Sequence, residues 1–195
     1  MNSEYAVPSY PYTGIGEAHG AFLLCKLLNS RKTNLTLERN NALSWDEMRT
    51  SDVVFLGAPK LNPQLKDIPA AGGFVIEGAT LRNQKPRPGE QDAYSSKWSD
   101  DHTQLLEDYG LIYRLPGLHE HGEIMILGSS STEGTWAAAE YVTQPVYARE
   151  LVQKVSSSAG KLPRCYQVVI RVEFKQQVPW KISYLTHRIL DPPWK

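Results

Sequence analysis

Glu123-Ile-Met-Ile-Leu-Gly128, then Ser129-Ser-Ser-Thr-Glu-Gly-Thr135, then Trp136-Ala-Ala-Ala-Glu-Tyr-Val142 read as a short apolar strand, a small-residue loop and the opening of a helix. A loop this rich in Ser, Thr and Gly brings several backbone N–H groups close to a ligand. The helix behind it adds free amides and the positive end of its dipole, so an anion is favoured there.

Outward from this stretch the pattern alternates between strands and helices. Just upstream, Asp108-Tyr-Gly-Leu-Ile-Tyr-Arg-Leu115 is a strand stopped by Pro116-Gly117, and Leu118-His-Glu-His-Gly122 returns the chain. Two strands so closely joined form an antiparallel hairpin. Downstream, a helix from Thr132 reaches about Thr143, Pro145 interrupts, and a second helix runs from Val146 to about Ser156. Within 163–190, Cys165 to Phe174 and Trp180 to Ile189 alternate strictly, as a terminal hairpin with one wet face does.

Toward the N-terminus, residues 1–13 form an irregular lead-in rich in Pro and Tyr. Gly14-Ile-Gly16-Glu17 opens a helix to about Ser30, with Ala18, Ala21, Phe22, Cys25, Leu27 and Leu28 on its apolar face. Thr33 to Glu38 alternates like a strand. Ser44 with Glu47 makes a capping box for a short helix. Asp52-Val-Val-Phe-Leu-Gly57 is a continuous apolar run, the mark of a strand buried on both faces. Phe74 to Glu77 and Thr80 to Asn83 are further short strands. From Gln84 to Asp101 the chain is polar and is expected to cross the surface as a flap over the site. This order predicts an α/β fold: a three-layer Rossmann-like sandwich with a mixed sheet and a C-terminal antiparallel hairpin, as a single domain over 14–195.

Composition narrows the function. In 195 residues, 21 basic side chains balance 21 acidic ones. That argues against direct nucleic-acid binding and against an anionic membrane surface. No apolar run is long enough to span a bilayer, and no secretory leader opens the chain, so a cytoplasmic protein is expected. Cys25 and Cys165 lie inside apolar patterns and read as buried free thiols in a reducing compartment.

Three small-residue turns carry the candidate site: Gly14, Gly16 and Glu17; Gly57, Pro59 and Asn62; and Gly128, Ser129, Ser130, Thr132, Gly134 and Thr135, with Trp136 just behind as a stacking surface. If the strands ending at Gly57 and Gly128 run parallel, these turns share one edge of the sheet, where ligands of open α/β sheets lie. Lys60 is the nearby cation. His119-Glu120-His121, with His102 upstream, has a metal-like look, but a solvated hairpin tip explains it better and no metal is expected. Nor does Gly128-Ser-Ser-Ser-Thr132 form a nucleophile elbow, since no glycine follows at the required spacing. No catalytic residue and no cofactor are therefore assigned.

The pattern Gly14-Ile-Gly16-Glu17, Ser51-Asp-Val-Val-Phe-Leu-Gly57-x-Pro59-x-x-Asn62-Pro63, Pro88-Gly89-Glu90, Asp108-Tyr109-Gly-Leu-Ile-x-x-Leu-Pro116-Gly117-Leu118 and Ile124-x-Ile-Leu-Gly-x-x-x-Thr132-x-Gly134-Thr135-x-Ala-Ala-Ala-Glu140 resembles a C-terminal α/β domain of bacterial, acidobacterial-type signalling proteins. The Gly57-x-Pro-x-x-Asn62 and Gly134-Thr135-x-Ala-Ala elements are also similar to segments of archaeal surface-layer proteins. The resemblance implies a sensory or effector-binding role. The expectation is a sensor domain that binds a small, anionic or nucleotide-like ligand without turnover. A second copy of the chain, or a fused or partner signalling domain, would receive the signal. The alternatives are a small hydrolase or nucleotide-processing enzyme using Ser129, Ser130, Ser131 or Glu17, and an assembly module acting through the terminal hairpin.

Overall fold

The computed structural model describes residues 13–29, 34–38, 43–68, 72–118 and 122–193. Among these residues, four α-helices, α1 (Ile15–Asn29), α2 (Trp45–Thr50), α3 (Thr132–Thr143) and α4 (Pro145–Val155), and a 3-10 turn over Pro63–Asp67 accompany nine strands: β1 (Val53–Leu56), β2 (Phe74–Glu77), β3 (Thr80–Asn83), β4 (Ala93–Ser95), β5 (Lys97–Trp98), β6 (Leu105–Pro116), β7 (Glu123–Ser129), β8 (Tyr166–Lys175) and β9 (Val178–Ile189). The main sheet runs β1-β7-β6-β8-β9, with β5 added to β6. β1 is parallel to β7 and all other pairs are antiparallel, so the sheet is mixed and ends in an antiparallel hairpin. β2, β3 and β4 form a separate antiparallel sheet.

Both faces of the main sheet are buried because its central strands are apolar on alternate sides. Leu111, Tyr113, Ile124, Ile126 and Val169 pack with Phe74, Ile76 and Leu81 of the small sheet. Ile112, Leu127, Val168, Ile170 and Val172 pack with Ala137, Ala138, Ala139 and Tyr141 of α3 and with Leu151 and Val155 of α4. The fully buried Gln167 ties the small sheet to the large one: its Oε1 accepts from the Phe74 N–H (2.6 Å) and its Nε2 donates to the Phe74 carbonyl (3.1 Å). One side chain thereby satisfies two backbone groups that would each cost about 1–3 kcal/mol if left unpaired.

Several expectations hold. Ser44 and Glu47 form the reciprocal capping box of α2. α3 begins and ends where the pattern places it, and β6 and β7 form the hairpin.

Others are corrected. Residues 34–38 carry no strand. The apolar run ending at Gly57 is an edge strand, not one buried on both faces: among the described residues β1 has β7 as its one neighbour, and Val54 is exposed. In the terminal hairpin the wet positions fall mainly on β9, the edge strand, because β8 lies between β6 and β9 and is buried over most of its length. α1 turns Gly16, Glu17, Gly20, Ala21 and Leu24 inward and leaves Phe22, Cys25 and Leu27 exposed, so Cys25 is not a buried thiol whereas Cys165 is. The Gln84 to Asp101 stretch is no flap: it contains β4 and β5, and Glu90 pins it to Arg188 on β9.

Among the described residues no helix is long and apolar enough to cross a membrane, and no group of His, Cys, Asp or Glu is placed to hold a metal. The His119-Glu120-His121 motif lies outside the described residues.

Candidate functional site

The parallel pairing of β1 with β7 sets the turns after both strands side by side. Gly57 N–H donates to the Leu127 carbonyl (2.9 Å), and a Cβ on Gly128 would lie 2.7 Å from the Gly57 carbonyl oxygen. Gly57 itself has φ +98°, a left-handed conformation that favours glycine. Asn62, buried, closes this turn from within by donating from Nδ2 to the Leu56 carbonyl (2.7 Å).

The start of α1 completes the junction. Gly16 N–H donates to Thr132 Oγ1 (2.8 Å), and Thr132 Oγ1 in turn donates to Glu17 Oε2. An added Cβ at Gly16 would overlap the Thr132 carbonyl, and one at Gly14 would overlap Glu17 and Thr132. Glu17 is only 7% exposed. Its other oxygen faces the Gly57 turn, where a Cβ at Gly57 would lie 3.2 Å from Glu17 Oε1 and 3.5 Å from Asn62 Nδ2. Gly14, Gly16, Glu17, Gly57, Asn62, Gly128, Thr132 and Gly134 are thus brought to one end of the sheet. Pro59 sits half-buried in the same turn.

At the heart of the serine loop stands a residue that the pattern reading did not assign to the site, Asp108 of β6. It is 2% exposed. Ser96 and Ser130 donate to its Oδ1 (2.9 and 3.1 Å) and are themselves 2.8 Å apart. Ser129 and Ser131 donate to its Oδ2, Ser131 at 2.5 Å. Ser131 also caps α3, accepting from Gly134 N–H (2.9 Å). Gly134 is required by closeness, since a Cβ there would overlap Ser129 and lie 2.6 Å from Asp108 Oδ2. The sequence signal was present: Asp108 stands at the head of the uncharged run Tyr109–Tyr113 in a central strand. Ser96 had no such signal, because only the pairing of β5 with β6 carries it there.

Two features follow for the chemistry. The N-terminus of α3 already faces negative groups of the chain itself, Asp108 at its cap residue Ser131 and Glu17 at Thr132, the kind of partner that terminus favours. The serine hydroxyls donate to that carboxylate directly, with no imidazole between them. His19, on α1, instead stacks flat on Trp136 (centroids 4.3 Å apart, 8° between planes). Lys60 reaches the loop from outside, its Nζ 3.4 Å from the Ser130 carbonyl oxygen. Thr135 is fully buried and bonds back to the Ser131 carbonyl (3.2 Å), an internal role.

No protein-family model, no curated protein and no solved structure matches this chain.

Proposed function

We propose that this chain is a ligand-binding sensor or regulatory domain that recognises a small, nucleotide-like molecule at the junction of the three turns, without turnover. The observation that carries the reading is the convergence itself: β1 and β7 are parallel, Gly57 bonds to Leu127, and Gly16 bonds to Thr132. Beside it, Glu17 Oε1 faces the Gly57 turn as an acceptor for a ligand hydroxyl, and the exposed Lys60 suits the negative end of such a molecule. The parallel pair with α3 behind it supports a Rossmann-like, three-layer reading of the fold. It also fits the resemblance to sensor-like domains of acidobacterial-type signalling proteins. A cytoplasmic setting belongs to the same proposal, as does a second copy or a fused signalling domain as the receiver of the signal.

A hydrolase is disfavoured, because Ser96, Ser129, Ser130 and Ser131 donate to Asp108 and none of them is paired with a histidine base among the described residues. The exposed β9 edge, with Trp180 and Val178 in the open, is the surface through which occupancy would reach a partner.

The test is a thermal-shift series with adenine and guanine mononucleotides, dinucleotides and cyclic nucleotides on the native chain and on Lys60→Glu, an exposed position. A ligand that raises Tm in the native chain and fails to do so in K60E is the expected result. No shift with any member, or an equal shift in both chains, overturns the assignment.

A further inference from the structure

At the other end of the sheet lies a cleft of about 400 Å³ lined by Gly72, Lys85, Arg87, Arg188, Leu190 and Asp191, among others. Arg188 pairs with Gln167, and Asp108 with Val172, five residues further along β8. The cleft is therefore roughly 16 Å along the sheet from the serine loop. It also belongs to the opposite face, since Arg188 bonds to residues of the small-sheet side.

The floor is rigid. Arg188, 5% exposed, forms an ion pair with Glu90 and also donates to Thr186 Oγ1, Asn83 Oδ1 and the Lys85 and His187 carbonyls. Its guanidinium lies over the Phe74 ring, 4.8 Å from the centroid. Glu90 also accepts from the Arg87 N–H (2.9 Å) and from Thr186 Oγ1 (2.6 Å). The loop so anchored reads Lys85-Pro86-Arg87-Pro88-Gly89, in which two prolines fix φ around each cation.

Arg188 is fully committed, but Lys85 and Arg87 are not. Both are exposed, and neither makes an ion pair among the described residues. The Lys85 side chain lies against Gly72, where a Cβ would come within 3.0 Å of its Cε and Nζ. Gly72 has φ +76°, so a larger residue there would be strained as well as crowded. Burial, then Arg87, Arg188 and Lys154, push the His187 imidazole below its ordinary pKa, which reports a positive field at this corner. Asp191 on the rim is the one lining carboxylate opposing it.

We propose that this cleft is a second binding site, for the phosphate group of a small phosphomonoester, with Lys85 and Arg87 as the charged contacts and the Arg188–Glu90 pair as their scaffold. The volume suits a small molecule. The overall balance of 21 basic and 21 acidic side chains favours a small anion over a nucleic acid or an anionic membrane as the occupant. The backbone that carries the two cations is already anchored through Glu90 and Arg188, so little of its freedom is lost on binding, which favours affinity from few contacts.

The experiment is a titration of the ¹⁵N-labelled full chain with inorganic phosphate, matched in ionic strength with chloride. Amide shifts saturating at residues 72, 84–90 and 187–191 are expected, together with a rise in the His187 pKa as the anion offsets the field. K85A/R87A should bind phosphate at least tenfold more weakly, K85R should retain binding, and Asp191→Asn should bind more tightly. All three positions are exposed, and the unperturbed amides of each variant report whether it is folded. Absence of saturable shifts, shifts confined to residues 128–135, or an unchanged affinity in K85A/R87A overturns the proposal. Shifts confined to 128–135 would instead favour an anion at the serine loop, so the two sites stand or fall separately.

Discussion

Asp108, buried, and Glu90, half-buried, are two carboxylates satisfied in different ways. Asp108 accepts from four serine hydroxyls and makes no ion pair among the described residues. Glu90 faces a buried guanidinium, and Arg188 first of all, then Thr186, Arg87 N–H and Asn83, hold its carboxyl well below the usual carboxylate range against the opposing effect of burial. A carboxylate depressed in the folded state adds stability above its unfolded value of about 4.3 and loses it as pH falls from there toward the folded value. Acid denaturation of the native chain should therefore steepen below about pH 4. Glu90→Gln should flatten that limb while lowering stability near neutral pH by about 3 kcal/mol, because Arg188 is left buried without its counter-charge. Urea midpoints measured from pH 7 to pH 2 check both parts. Identical pH slopes in the two chains would show that the pair does not govern acid stability.

At the scale of elements, α1 is held by close approach rather than by a broad apolar face. Gly16 meets the Thr132 backbone, which cannot retreat without unwinding the first turn of α3. Gly20 meets only the Ala139 methyl at 3.1 Å and the Leu56 side chain at 3.4 Å. Alanine at either position gains about 1 kcal/mol of helix propensity. Gly20→Ala should therefore be near neutral, whereas Gly16→Ala should lose several kcal/mol or release α1, on the scale of a severe core overpacking. Thermal unfolding of the two variants side by side decides this.

Legibility of the sequence varies with the same physics. Capping residues and the period of α3 are local signals, so Ser44, Glu47 and the Thr132–Thr143 span could be read directly. The gathering of the three turns was legible only on condition that β1 and β7 are parallel, which no local pattern states. That β1 is an edge strand was hidden, because an apolar run of four looks alike at a centre or an edge. Phe22 and Leu27 looked inward by composition, yet glycine-mediated packing turned a different face of α1 to the protein. Asp108 was visible as an acid at the head of an uncharged run, but its partners come from segments distant in sequence.

For the molecule as a whole, the two thiols form a built-in reporter of opening. Cys165 lies in the core shared with the small sheet, and burial foremost pushes its thiol up to about 11. Cys25 is exposed on α1. A disulfide reagent at neutral pH should titrate one thiol per chain promptly, with the second reacting only at the rate of large-scale unfolding. Two prompt thiols would mean that the small sheet opens on its own. Cys25→Ser leaves Cys165 as the sole reporter.

The bond from Gly16 to Thr132 spans 116 residues of chain, and among the described residues β1 pairs with β7 alone. On the ribosome, then, α1 and β1 emerge before their main partners, α3 and β7. At about 5–20 residues per second they wait several seconds or more before the hairpin that receives them has been made. Their apolar side chains are in that interval available to chaperones, and the sheet assembled from the later strands becomes the template onto which α1 and β1 close.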